Sequence, residues 1–119
     1  MMRTGITWRF TVQVRGATSS DEAAQILDEH IDQVMDELLN LADCRGDVHD
    51  PSVGAELATG TVEIELTVDG KGSAALDVAE SVVRAAIHAA GGFTPSWGDA
   101  PGDEAMADYK PLGAELAYA

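Results

Sequence analysis

Residues 6–15, ITWRFTVQVR, alternate between apolar and polar side chains without a break. Ile6, Trp8, Phe10, Val12 and Val14 fall on one side, and Thr7, Arg9, Thr11, Gln13 and Arg15 on the other. A helix would scatter these residues around its circumference, whereas a strand gathers them into one buried and one solvated face. Residues 61–69, TVEIELTVD, repeat the pattern with Val62, Ile64, Leu66 and Val68 on one side. A chain with two such strands must build a sheet and cover one face of it.

Two helical stripes supply the cover. Between the strands, Leu27, Ile31, Val34, Leu38 and Leu41 recur at steps of four and three, with Asp28, Glu29, Asp32, Gln33, Asp36 and Glu37 opposite. Ser19 followed by Glu22 has the form of a capping box, and Asp21 and Glu22 sit where the helix dipole favours acid. The helix is expected to end near 43–45, with Gly46 supplying the left-handed turn. A second helix is expected over about 73–90, with Leu76, Ala79, Val83, Ala86, Ile87 and Ala90 buried and Gly91-Gly92 ending it. A shorter strand at 52–57 would point Val53, Ala55 and Leu57 inward and form a hairpin with 61–69 through Ala58-Thr59-Gly60. Residues 93–97, FTPSW, are read as a short final strand at a sheet edge, where Pro95 is tolerated.

The resulting order is βαββαβ, and it resembles the ferredoxin-like split βαβ fold: an α+β sandwich with two helices on one face of an antiparallel sheet. In that fold the first and third strands are central neighbours. Arg9 and Arg15 would then oppose Glu63, Glu65 and Asp69 on the open face. The domain is assigned to residues 1–98. Residues 99–119, rich in Pro, Gly and acid, are read as a C-terminal tail. Within the fold, the hairpin DPSVGAELATGTVEIEL resembles the middle of heavy-metal-associated domains. Those carriers place two cysteines in the loop after the first strand. Here residues 15–20 contain none, so metal-chaperone activity does not carry over.

Composition narrows the function classes. Seven Lys and Arg against 21 Asp and Glu give a net charge of −14, a field that repels nucleic acid and anionic lipid. Apolar residues make up 45% of the chain, but no stretch approaches the length of a membrane span. The start, MMRTGITWRF, carries Arg3 and Arg9 and lacks the apolar core of a signal peptide. A soluble cytoplasmic protein is the expectation, and the single cysteine, Cys44, is compatible with a reducing compartment.

The densest polar cluster spans Asp43 to Asp50. Cys44, Asp47 and His49 are the candidate metal ligands in it, although the second ligand pair of a structural zinc site is missing. The competing reading is a polar helix-to-strand connection, with Asp50-Pro51 as a turn and Cys44 semi-buried and inert. His30, among acids on the first helix, and His88 on the second are read as surface or boundary residues. Lys71-Gly72-Ser73 is at best a fragment of a phosphate-binding loop. No acid–base pair stands out and no cofactor is implied.

The sequence therefore points to a non-enzymatic interaction or assembly module, expected to be homo-oligomeric. Its tail would dock on a partner or back on its own domain. Trp8, Trp97, Tyr109, Leu112, Leu116 and Tyr118 are the expected contact residues. The alternative is a small-ligand or metal-binding regulatory domain using Cys44, Asp47 and His49.

Overall fold

The computed structural model describes residues 3–14, 17–93 and 107–118. The elements run β1 (Arg3–Val14), α1 (Ser20–Arg45), β2 (Val48–Glu56), β3 (Thr61–Asp69), α2 (Gly72–Ala89), β4 (Gly92–Phe93) and β5 (Ala107–Tyr118). The architecture is α+β. The strands form one sheet in the order β2-β3-β1-β5-β4, antiparallel except for the two-residue β4–β5 contact.

β1 and β3 lie side by side, as their alternation requires. Every second residue of each strand (Ile6, Trp8, Phe10 and Val12; Val62, Ile64, Leu66 and Val68) is buried in one core with Leu27, Val34 and Leu38 of α1 and Ala79, Val83, Ala86 and Ile87 of α2. Both helices therefore cover the same face. The opposite face is polar, and its cross-strand charges pair in register. Arg9 Nε lies 3.1 Å from Glu63 Oε2, and Arg3 Nε lies 3.2 Å from Asp69 Oδ1. Arg15 lies outside the described residues.

The caps of α1 are where the residue types place them. Ser19 Oγ accepts from the Glu22 N–H at 3.1 Å. At the other end Gly46 takes φ 75° and returns its N–H to Ala42 O. The Glu22 carboxylate, however, accepts from Thr18 Oγ1, so the reciprocal half of the capping box is replaced by a side-chain bond.

β2 differs from expectation at both ends. It starts at Val48, runs through Asp50 and Pro51 by way of a register shift between His49 and Ser52, and stops at Glu56. Asp50 adopts φ 51°, which places the kink of a β-bulge where a loop turn was expected. Val53 is half-buried, but Ala55 and Leu57 are exposed instead of inward, because β2 is an outer strand and the helices cover only part of it.

The largest correction concerns the C-terminus. Residues 107–118, read from composition as part of a tail, form β5 and pair with β1 along nearly its whole length, from Thr4↔Tyr118 to Val14↔Ala107. Leu112 is an extra residue at a register shift: Arg9 faces Gly113 and Phe10 faces Pro111. Of the strand expected at 93–97, only Phe93 falls in β4, and residues 94–97 lie outside the described residues.

The β2–β3 turn is fixed by glycine. Gly60, at φ 70°, gives its carbonyl to Val12 N at 2.7 Å, and a Cβ there would approach Val12 O to 2.9 Å. Gly46 has a similar φ but open space around it. Gly46→Ala is thus expected to lose about 1 kcal/mol from the left-handed conformation alone, and Gly60→Ala clearly more, read by urea unfolding of the two variants.

Candidate functional site

Two regions gather chemistry-bearing groups: a buried pair inside the sheet–helix interface, and the edge of the sheet at β2. The first centres on His30. It follows Leu27 by three positions and precedes Val34 by four, which sets it on the buried side of α1 and not among the acids. His30 is 2% exposed, against the expected surface placement, and its Nδ1 lies 2.7 Å from the Tyr109 hydroxyl of β5. Tyr109 is fully buried and stands edge-on to Phe10, with ring centroids 5.6 Å apart and an interplanar angle of 77°.

The second ring nitrogen, Nε2, is buried without a hydrogen-bond partner. Burial holds the His30 pKa below its ordinary 6.5; the Ala90 backbone acts weakly in the other direction, without forming a bond of good geometry. Burial likewise pushes the Tyr109 hydroxyl far above the usual phenol range, so it stays neutral. His88, by contrast, is exposed on α2.

The second region is the outer edge of β2, flanked by two grooves. On the open face, a groove of about 420 Å³ is lined by Ser52, Gly54 and Glu56 with Thr61, Glu63 and Glu65. On the helix side, another of about 470 Å³ is lined by Leu39, Ala42, Val48 and Pro51 together with Asp43, His49 and Asp50. Leu39 and Leu57 are among the few large apolar side chains left exposed.

The proposed metal ligands do not converge. Cys44 is exposed on the last turn of α1, not semi-buried. Both carboxylate oxygens of Asp47 accept from Arg45, at 3.0 and 3.2 Å, and this contact holds its pKa below the usual carboxylate range. His49 Nε2 is 3.1 Å from Asp69 Oδ1, on a carboxylate that also meets Arg3. Among the described residues no group of three or more His, Cys, Asp or Glu is arranged to hold an ion.

The expected contact residues are also redistributed. Trp8, 6% exposed, and Tyr109 belong to the chain's own core. They are large and apolar, but their strand positions face the helices. Leu112 is 61% exposed at the bulge. Leu116 and Tyr118 stand opposite Ile6 and Thr4 in the β1–β5 register. Trp97 lies outside the described residues. The chain matches no protein-family model and no curated protein.

Sequence reasoning missed His30, Tyr109 and also Thr4, whose buried hydroxyl donates to Gly70 O at 2.8 Å. The spacing of His30 from Leu27 and Val34 was the available signal. In the unfolded chain His30 takes up a proton near pH 6.5; in the fold it does so only at lower pH. Between those values the unfolded state binds more protons, so the stability contribution, complete above pH 6.5, is lost as pH falls toward the folded pKa. Tyr109→Phe keeps the ring but strands Nδ1 as well. It is expected to lose about 1–3 kcal/mol in urea unfolding at pH 7.5.

Proposed function

We propose that this protein is a non-enzymatic interaction module that binds an extended segment of a partner by strand addition at the outer edge of β2. The observation that carries this reading is the pair of grooves on either side of that edge. A strand added there would bond through its backbone, lay alternate side chains over the open-face groove along 52–56 and end near the helix-side groove along 48–51. The helix-side groove offers Leu39, Ala42 and Pro51 to aliphatic groups, beside Asp43, His49 and Asp50. The open-face groove offers Glu56 and Glu65 to cations, while Glu63 already pairs with Arg9. The matching partner is an extended segment alternating Lys or Arg with Val, Ile or Leu, and the net charge of −14 favours its approach.

The bulge at 49–52 and Pro51 keep the first half of the edge from pairing indiscriminately, which leaves Ser52–Glu56 as the receptive part. The C-terminal segment, expected to dock on a partner or in cis, is in this reading a strand of the domain's own sheet. We also infer a ferredoxin-like arrangement in which β5 takes the place of the fourth strand. Its position beside β1 and antiparallel to it supports this, with β4 reduced to a short flank.

A capped hexapeptide alternating Lys and Val tests the proposal. It is expected to shift the backbone amide resonances of Ser52–Glu56, and an alternating Glu and Val peptide is not. Glu65→Lys is expected to weaken binding at least about fivefold. Absence of binding, or shifts confined to other elements, would exclude the β2 edge. Light scattering on the free protein separates occupation of this edge by a second copy, which would appear as a dimer.

A further inference from the structure

The buried contact between α1 and β5 has a property that neither its packing nor strand addition at β2 uses. His30 is the polar side chain that joins the C-terminal strand to the helix layer, through its 2.7 Å bond to Tyr109. We propose that His30 is an acid-sensitive latch: protonation of its imidazole releases β5 from β1 while the β2–β3 hairpin and both helices stay in place.

The geometry leaves the protonated ring no comfortable position. An imidazolium carries N–H on both nitrogens. One can still donate to the Tyr109 oxygen; the other, on Nε2, has no partner in the fold as it stands, and the Ala90 backbone facing the ring offsets its burial only in part. The space beside the ring is filled: a Cβ on Gly92 would come within 3.0 Å of His30 Cε1 and 2.7 Å of Ile87 Cγ2. A water molecule has no room to solvate the charge from that side.

No countercharge among the described residues compensates it. Tyr109, which β5 presents to the ring, stays neutral. From α2 and the turn after it, Ile87, the Ala90 backbone and Gly92 face His30, while His88 is exposed. On α1 itself Asp28, Glu29 and Asp32 are exposed to solvent, and among the causes that move the His30 pKa there is no carboxylate charge.

Something must move to admit water, and β5 carries Tyr109, the hydrogen-bond partner of the ring. α1 is held through Leu27, Val34 and Leu38 in the common core. β5 pairs with β1 on one side, and among the described residues only Gly92 and Phe93 meet it on the other. Its departure would open a second edge, that of β1, to another strand.

Hydrogen exchange on the full chain tests the latch, with labelling times scaled for the intrinsic pH dependence of exchange. Between pH 7.5 and pH 5, exchange in 107–118 and in β1 is expected to accelerate at least about tenfold, and exchange in 48–69 to change little. His30→Gln is expected to remove that pH dependence. In the wild-type chain the NMR titration midpoint of the His30 ring should coincide with the midpoint of β5 opening, a readout that does not depend on the variant folding. The proposal fails if 107–118 stays protected down to pH 5, if 48–69 opens in step with it, if His30→Gln responds as the wild type does, or if the two midpoints differ.

Discussion

β1 sits inside the sheet, so both of its hydrogen-bonding edges need backbone partners while its apolar face is pressed against two helices. Buried backbone N–H and C=O groups left unpaired are costly, and this requirement orders the rest of the molecule. β3 satisfies one edge, and β5, from the far end of the chain, satisfies the other. The β2–β3 turn adds a bond from Val12 N to Gly60 O. Tyr109 fills the space between Phe10 and His30, so the strand that closes the second edge also closes the core beneath it.

The same constraint separates the two ends of the sheet in character. At the β2 end the outer strand is kinked at Asp50 and Pro51; one of its grooves carries Glu56, Glu63 and Glu65, and the other mixes Leu39, Ala42 and Pro51 with Asp43, His49 and Asp50. At the β5 end, among the described residues, the sheet is tied to α1 through the buried contact of Tyr109 with His30. The proposed partner strand would meet one end, and the proposed latch would act at the other. Cross-strand pairs such as Arg9–Glu63 lie in water between them and fix register more than they add stability.

Where periodicity was unbroken, the residues declared their places. β1, β3 and the stripes of both helices follow from alternation and from steps of three and four, and Ser19 and Gly46 marked the ends of α1. β5 was hidden by a single insertion. Positions 109 and 111, and then 114, 116 and 118, oppose Val12, Phe10, Trp8, Ile6 and Thr4, all on the buried face of β1. Leu112 shifts the second set out of phase with the first, and Pro111 and Gly113 beside it imitate a flexible tail. His30 was hidden differently: its acidic neighbours outweighed its spacing from Leu27 and Val34. The site at the β2 edge was not legible because it belongs to backbone and groove shape, which residue types along a line do not encode. The alternation of Val53, Ala55 and Leu57 gave no measure of how far the helices would reach across β2.

The central claim is that the C-terminal strand completes the core instead of trailing from it. Equilibrium urea unfolding of the full chain and of a chain ending at Gly98, at pH 7.5, measures this directly. The account predicts that truncation removes at least about 3 kcal/mol, since it uncovers Phe10, leaves His30 without its partner and bares one edge of β1. A truncated chain that unfolds with the same midpoint and slope as the full one would contradict it.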